Sequence, residues 1–191
     1  MSNIFVVSAP SGAGKTSLLA KLCQQEPTLA TAVSHTTRSQ RPGEKHGHAY
    51  HFVSHDAFKT LVENDAMVEW ATVFDHAYGT SRDSIDSLVA KGKDVFLEID
   101  WQGAAQVREK LPNAISIFIM PPSVDALRDR LTKRSSDTPA VIEQRLRQAK
   151  DDMAHHVAYD YVVVNDDFEQ AVEDLSLIIR AARLRQACFK G

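Results

Sequence analysis

The sequence predicts an α/β protein in which a parallel sheet is covered by helices on both faces. Short, continuously apolar runs are typical of strands buried on both sides, and the segments between them carry apolar residues at helical spacing. The chain has 191 residues, of which 43% are hydrophobic and 25% charged. That length and composition indicate one compact domain.

Four strands and three helices carry the alternation. The predicted strands are residues 4–8, 95–100, 115–120 and 161–164. The predicted helices are residues 16–25, residues 102–110 and a last helix that begins near Asp166 or Asp167. Either aspartate suits the N-cap of that last helix, because its side chain can accept from the first free backbone N–H groups.

Two stretches interrupt this order. Residues 34–80 are richer in Gly, His and short strand-like pieces, which indicates an inserted lobe. Residues 128–150 read as a basic helical arm, with Arg128, Arg130, Lys133, Arg134, Arg145, Arg147 and Lys150.

Charge and cysteine content exclude several classes of protein. The chain has 22 Lys and Arg against 25 Asp and Glu, a net charge of −3, so it lacks the basic excess of a general nucleic-acid binder. Its two cysteines, Cys23 and Cys188, cannot form the disulfide framework of a small secreted protein. We find no signal peptide and no apolar run that would span a membrane, and we expect a cytoplasmic protein.

The segment between the first strand and the first helix has the pattern of a phosphate-binding loop. It reads Ala9-Pro10-Ser11-Gly12-Ala13-Gly14-Lys15-Thr16, with Ala9 in place of the first Gly of G-x-x-x-x-G-K-[ST]. Gly12 and Gly14 let backbone N–H groups converge on phosphate oxygens at a helix N-terminus. Lys15 is expected at the β- and γ-phosphates and the Thr16 hydroxyl at Mg²⁺. The loop predicts nucleoside triphosphate binding and leaves the acceptor open.

The start of the inserted lobe is a candidate acceptor site. Arg38 and Arg41 lie three residues apart among hydroxyl side chains, and arginine forks bind phosphate oxygens in pairs. Pro42 and Gly43 form a turn that would fix their direction. A solvated polar surface is the alternative interpretation of these residues.

Longer motifs resemble the guanylate kinase family, and most closely its bacterial members. The longest is T-T-R-x-x-R-P-G-E-x-x-G-x-x-Y-x-F-V at residues 36–53. The others are the phosphate loop, Y-G-T-S at residues 78–81, L-E-I-D-W-Q-G at residues 97–103 and V-V-N-D-D at residues 163–167. These motifs are colinear with the family and cover nearly the whole chain.

The resemblance implies the P-loop nucleoside monophosphate kinase fold and transfer of the ATP γ-phosphate to GMP or dGMP. It implies a single domain, residues 1–191, with a core (1–33, 81–127 and 157–191), a GMP-binding lobe (34–80) and a helical lid (128–156). Mg²⁺ is the implied cofactor. The implied partners are ATP and GMP or dGMP, without nucleic acid or membrane, and both a monomer and a homo-oligomer stay open.

Matching motif positions assigns residues to these roles. The implied GMP-binding residues are Ser34, Arg38, Arg41, Tyr50, Glu69, Tyr78, Gly79, Thr80 and Asp100. The candidate catalytic residues are Lys15, Arg38, Arg134 and Arg145, of which the last two would approach the phosphates from the lid. The eight loop residues and Asn165, which would lie near the adenine, are the candidates for ATP binding. Asp100 has two open roles, contact with the base and the ordering of a water on Mg²⁺.

The chemistry of guanine agrees with this assignment. Guanine presents N1–H and a 2-amino group as donors, whereas adenine has an acceptor at N1 and no 2-amino group. Glu69 and Asp100 are therefore candidate acceptors, and the Thr80 or Ser34 hydroxyl could serve O6. An AMP ligand would leave buried acceptors unpaired, which can discriminate by about 10⁴-fold.

The chain departs from the family at two places, and its histidines are a separate feature. Lys133-Arg134-Ser135 stands where the family usually has Gly-Arg-Gly, which predicts a stiffer lid hinge, and Ala77 replaces a frequent Tyr. The lobe histidines fit no zinc spacing and are interpreted as loop residues; they are His46, His48, His51 and His55.

Three other functions are compatible with parts of the sequence. A related kinase of a phosphorylated sugar would keep the ATP loop but would not need Glu69 and Asp100. A catalytically inactive, guanylate-kinase-like binding module would typically carry a damaged phosphate loop, and this loop is intact. Nucleic-acid binding through the basic arm is disfavoured by the net charge.

Overall fold

The structure, a computed structural model, describes residues 2–73, 75–133 and 139–185. Its strands are β1 (Ile4–Ser8), β2 (Leu29–Thr31), β3 (His35–Thr36), β4 (His51–Phe52), β5 (Met67–Val73), β6 (His76–Ser81), β7 (Asp94–Glu98), β8 (Ile115–Met120) and β9 (Tyr161–Val164). Its α-helices are α1 (Lys15–Gln25), α2 (His55–Glu63), α3 (Arg82–Val89), α4 (Trp101–Lys110), α5 (Val124–Lys133), α6 (Pro139–Ala154) and α7 (Phe168–Arg183), and a 3₁₀ turn, His155–Ala158, follows α6.

The larger sheet is parallel and has the strand order β2-β7-β1-β8-β9. In the central strand β1, Ile4 lies opposite Val95 of β7 and Phe5 lies opposite Ile115 of β8. Parallel sheets bury both faces, and β1 does so: Phe5 and Val7 pack with α1 and α7, while Val6 packs on the opposite face with α3 and α4. The predicted fold class is therefore confirmed.

The smaller sheet has four strands in the order β4-β3-β6-β5. Its strands all lie between residues 35 and 81, and β5 and β6 form an antiparallel hairpin. Helix α2, capped by the Ser54 side chain, packs on this sheet through Phe58. The inserted stretch therefore folds around a sheet of its own, and the exact bounds of the lobe stay a prediction.

Helices α5 and α6 form an arm with its own apolar cluster. Leu127 and Leu131 of α5 pack against Ile142, Leu146 and Ala149 of α6. Helix α5 begins at Val124 and runs through residue 128, the expected start of the lid, without a break. Arg134 and Ser135 lie outside the described residues.

The structure corrects the predicted end of one strand and adds a strand that was not predicted. Strand β7 ends at Glu98 rather than at residue 100. The Asp100 side chain accepts from the Gly103 N–H, so that Asp100 is the N-cap of α4 and not a strand residue. Strand β2 was not predicted, since three residues are too few to show an apolar pattern. In the described part of the chain, none of the helices is both long and apolar enough to cross a bilayer.

Candidate active site

The phosphate loop connects the end of β1 to the start of α1. Gly12 and Gly14 have φ angles of +91° and +96°, which side chains with a Cβ rarely adopt. Ala9 has no such φ, and it packs against the core cluster. An alanine in place of the first Gly of the motif is therefore compatible with this loop. The free N–H groups at the N-terminus of α1 make the loop a site for an anion.

Lys15 is held at the mouth of this loop. Its Nζ donates to the Ile99 carbonyl at 3.0 Å. Burial lowers the pKa of Lys15, and the carboxylates of Glu98 and Asp100 oppose that shift. The ammonium group thus lies between the phosphate loop and the carboxyl end of β7.

Glu98 is a site residue to which sequence reasoning gave no role. The Thr16 hydroxyl donates to its carboxylate, across the gap between α1 and the end of β7. Both side chains line a cavity of about 690 Å³ that also reaches Ser34 and Tyr50. Glu98 and Asp100 are two residues apart, a spacing that puts both on one face of an extended strand, and this was the signal that could have found Glu98.

A second cavity, of about 320 Å³, lies between the smaller sheet and the end of β7. It is lined by Lys15, Ser34, Tyr50, Glu69, Ala71, Val73, Tyr78, Gly79, Glu98, Ile99 and Asp100. Six of the nine residues predicted to bind GMP are in this set. Thr80 lies behind Ser34, with 3.0 Å between their hydroxyl oxygens. This cavity, hereafter the acceptor cavity, therefore joins the predicted acceptor residues to Lys15.

Glu69 is the buried acid of this cavity. The residue is 4% exposed, and its Oε1 has no hydrogen-bond partner among the described residues. Burial raises the pKa of Glu69 to about 7; Asp100 adds to the shift, and Thr80 opposes it. A buried acceptor without a partner is costly, and a ligand that brings N–H donors would satisfy it.

The strand that carries Glu69 is fixed to helix α4. The Gln106 side chain accepts from the Trp70 N–H at 3.1 Å and donates to the Trp70 carbonyl at 2.7 Å. Lys110 adds a bond from its Nζ to the Met67 carbonyl at 3.1 Å. Since α4 is capped by Asp100, these contacts bring Glu69 and Asp100 to the same cavity.

The two predicted phosphate-binding arginines converge on a third residue, Glu44. The Arg38 guanidinium donates to both Glu44 carboxylate oxygens, at 2.8 and 3.0 Å, and the Arg41 backbone N–H donates to Glu44 Oε2 at 2.8 Å. The arginine fork lowers the pKa of Glu44 to about 2. The family motif contains Glu44, but sequence reasoning gave it no role. Neither arginine lines the 320 Å³ cavity.

A tight turn and two rings support this arrangement. The Glu44 N–H donates to the Arg41 carbonyl at 3.1 Å, and Gly43 at φ +84° completes the turn. The Arg38 guanidinium carbon lies 5.4 Å from the centre of the Tyr50 ring, which meets Tyr78 edge to face. Arg38 is thus brought next to Tyr50, which lines the 320 Å³ cavity together with Tyr78.

Of the remaining predicted site residues, Asn165 contacts the phosphate loop directly. The Asn165 side chain follows β9 and donates to the Ala13 carbonyl at 2.7 Å. Arg145 lies half-buried on α6, and the two cavities above are lined without it. Arg134 lies outside the described residues.

Of the lobe histidines, His46 and His48 are exposed residues outside the helices, as expected, whereas His51 lies in β4 and contacts the rings of His35 and His46. The rings of His35 and His51 are 4.7 Å apart, and His46 lies 5.5 Å from His51. Burial lowers the pKa of His35 to about 4 and also lowers that of His51. Within residues 2–73, 75–133 and 139–185, no group of three or more His, Cys, Asp or Glu is arranged to hold a metal ion.

Comparisons with known proteins match the whole chain. A family model described as guanylate kinase covers residues 1–182. Guanylate kinase from Salmonella typhimurium is 54% identical over 186 residues, which are 96% of this chain and 90% of that protein. The Escherichia coli K12 protein of the same name is 53% identical over 186 residues. A crystal structure of guanylate kinase from Anaplasma phagocytophilum is similar with a TM-score of 0.78 and 37% identity, over 97% of this chain and 88% of that one.

Proposed function

The chain belongs to the guanylate kinase family, and on that premise we propose that it transfers the γ-phosphate of ATP to GMP or dGMP, producing ADP and GDP or dGDP. The observation that carries the base assignment is the unpartnered carboxylate oxygen of Glu69 in the acceptor cavity. The guanine N1–H and 2-amino groups supply the donors that this acid needs. Adenine has no N–H at N1 and would leave the acid unpaired.

The other acceptor contacts follow from the cavity lining. Asp100 lines the same cavity as Glu69 and serves the same donor edge, while the Ser34 hydroxyl, backed by that of Thr80, serves O6. Gly79 lies beside them in β6. The phosphate of GMP binds at the other end, with Arg38, Arg41, Tyr50 and Tyr78. Arginine forks and phenolic hydroxyls suit a dianionic phosphate.

The donor nucleotide binds across the phosphate loop. Backbone N–H groups of the loop bind the phosphates, and Lys15 neutralises charge at the β- and γ-phosphates. Asn165, whose side chain donates to the Ala13 carbonyl of the loop, would contact the adenine. ATP and GMP then meet at Lys15, which lines the acceptor cavity.

Oxygen side chains near Lys15 suit Mg²⁺. The Thr16 hydroxyl and the carboxylates of Glu98 and Asp100 are hard oxygen donors, which this ion prefers, usually with several waters retained. Thr16 would bind the ion directly, and Glu98 and Asp100 would hold its waters. When bound, Mg²⁺ neutralises charge on the β- and γ-phosphates.

The chemistry needs no general base. The second phosphate pKa is about 6, so the attacking oxygen of GMP is already ionised at neutral pH. The chain must therefore align two anions and offset their repulsion, which is the task of Lys15, Arg38, Arg134 and Arg145. The lid, residues 128–156, would exclude water so that ATP is not hydrolysed.

The competing functions fit less well. A sugar-phosphate kinase has no use for a buried Glu69 in its acceptor cavity. An inactive binding module has no use for the intact loop with Lys15 placed on the Ile99 carbonyl. We place the activity in the cytoplasm, where ATP and GMP are available, with small molecules rather than nucleic acid or membranes as partners. A monomer and a homo-oligomer are both compatible with it.

One assay tests the proposal. ADP formation from MgATP is measured with GMP, dGMP, AMP, CMP, UMP and ribose 5-phosphate as acceptors. We expect turnover with GMP and dGMP, at least about 10³-fold above the other acceptors. Equal turnover with AMP, or turnover with ribose 5-phosphate alone, would overturn the proposal.

A further inference from the structure

Asn165 is tied to the phosphate loop by a buried hydrogen bond that the reaction scheme does not use. The residue is 4% exposed, and its Nδ2 donates to the Ala13 carbonyl at 2.7 Å. Its backbone N–H donates to the Met120 carbonyl at 2.8 Å, which continues the ladder between β8 and β9. The side chain is thus fixed from the sheet and reaches across to the loop.

The contact between Asn165 and the loop is very close. A Cβ built on Gly14 would lie 2.4 Å from Asn165 Nδ2, where no atom could remain. Gly14 is therefore required by its φ of +96° and also by this approach. On the other side, a Cβ on Gly12 would lie 2.9 Å from Leu127 of α5. The loop is packed between Asn165 and the helix that leads into the lid.

Arg130 connects these two supports. Its Nη2 donates to the Asn165 carbonyl at 2.8 Å. Its Nη1 is buried and has no hydrogen-bond partner in the part of the chain that the structure describes. Arg130 therefore fixes the backbone of Asn165 to α5. The Asn165 side chain, held in this way, donates to the Ala13 carbonyl and restrains it.

The Ala13 carbonyl matters because of the peptide plane that it shares with Gly14. In a trans peptide the C=O of one residue and the N–H of the next point in opposite directions. Holding the Ala13 carbonyl toward Asn165 therefore aims the Gly14 N–H away from Asn165. Without the bond, the buried carbonyl loses its partner and the plane is free to rotate.

We propose that Asn165 is a positioning residue for the triphosphate: its amide holds the Ala13 carbonyl and so orients the Gly14 N–H toward the phosphate oxygens, with Arg130 fixing Asn165 to α5. The inference rests on the proposed function, because it assumes that ATP phosphates occupy this loop. It differs from the predicted adenine contact, since it concerns the phosphates and is indifferent to the base.

The test compares Asn165→Asp with wild type. Aspartate has the same shape but sets a carboxylate oxygen, an acceptor, against the Ala13 carbonyl. Tripolyphosphate, which has no base, displaces a fluorescent ATP analogue at equilibrium. We expect it to bind the variant at least about tenfold more weakly, with ATP and GTP weakened by the same factor. Asn113→Asp, the same change in an exposed turn, is the matched control and should bind as wild type does.

Three outcomes decide the matter. If Asn165→Asp changes the ratio of ATP to GTP affinity and leaves tripolyphosphate binding unchanged, the residue serves the base and the inference is wrong. If wild type phosphorylates GMP and the variant binds tripolyphosphate equally well, the inference fails alone. If wild type neither binds tripolyphosphate in competition with the analogue nor phosphorylates GMP, the proposed function fails.

A measurement on the unmodified chain covers the case in which the variant does not fold. We expect the Gly14 amide resonance of wild type to shift when tripolyphosphate is added, because that N–H is aimed at the ligand. An unchanged Gly14 resonance, with other loop amides shifted, would overturn the inference without any substitution.

Discussion

The carboxylate of Glu69 lies against Gly103: a Cβ built on that glycine would come within 2.5 Å of Glu69 Oε2. Gly103 sits in the first turn of α4, and its N–H donates to Asp100 Oδ1 at 2.9 Å. The glycine thus makes room for one predicted guanine acceptor while its N–H orients the other. A helical glycine ordinarily costs about 0.5–1 kcal/mol relative to alanine, and here that cost leaves space for the acid.

Gly103→Ala should therefore fail to stabilise the protein and should weaken GMP binding. The added methyl forces the Glu69 carboxylate to move, and overpacking of this kind costs about 1–3 kcal/mol. We expect the KM for GMP to rise roughly ten- to hundredfold, with little change in the KM for ATP. Steady-state kinetics and thermal unfolding measure both effects.

Ala105→Ser is the matched control for that experiment. It adds one heavy atom to an exposed position of the same helix, away from Glu69, and should leave the KM for GMP unchanged. A Gly103→Ala protein with a higher Tm and a normal KM for GMP would show that Glu69 is not held in this position.

Elements with a strong local signal were predictable from sequence, and contacts between distant elements were not. The apolar runs of β1, β8 and β9 gave those strands their correct bounds, and the loop motif located Lys15. The bond from Thr16 to Glu98 depends on sheet order, which periodicity does not specify. Because β7 and β8 flank β1, residues that are far apart in sequence meet at the ends of adjacent strands.

The corrected end of β7 shows the same limit at short range. The apolar run that begins at Val95 led to a predicted strand ending at Asp100, but a helix cap outweighed it, because the aspartate satisfies the Gly103 N–H. Similarly, Asn165 was assigned by motif to the adenine, and nothing local to it in the sequence pointed to Ala13.

Binding of guanosine should depend on pH through Glu69. Burial raises the pKa of this acid to about 7, so it is largely protonated at pH 6 and ionised at pH 8. The guanine N–H groups need the ionised acceptor, and we expect guanosine affinity to rise by up to about tenfold between these pH values. Guanosine is used because the GMP phosphate itself titrates near pH 6. Glu69→Gln should remove the pH dependence, and its persistence in that variant would exclude Glu69 as the cause.

The same acid predicts a pH dependence of stability in the unliganded protein. The folded pKa of about 7 lies above the usual 4.5, so the folded state keeps a proton that the unfolded state has lost between these values. The free energy of unfolding should therefore decrease as pH rises from about 4.5 to about 7. In Glu69→Gln this part of the decrease should vanish, which denaturant unfolding at pH 5 and pH 8 measures.

Replacing Glu44 should weaken the binding of the GMP phosphate and leave the binding of the guanosine part unchanged. Glu44→Gln keeps the shape of the side chain but cannot accept both bonds of the Arg38 fork, and it removes the charge that strengthens them. We expect the KM for GMP to rise about tenfold or more, while guanosine binds as tightly as to wild type. Glu63→Gln, which removes the same charge from an exposed pair with Lys59 on the same lobe, is the control. Equal weakening of guanosine would mean that the lobe as a whole is disturbed.

Lys15→Ala should separate catalysis from acceptor binding. The ammonium is positioned by the Ile99 carbonyl between the phosphate loop and the acceptor cavity, where transferring phosphate oxygens would gather negative charge. Its loss should lower kcat by roughly a hundredfold or more and leave the Kd for GMP nearly unchanged, because GMP is held by other residues. Single-turnover kinetics and equilibrium GMP binding measure the two quantities. Lys21→Ala, on the same helix but facing Glu169 at 3.9 Å, should keep its full kcat; near-normal turnover by Lys15→Ala would refute the role of Lys15.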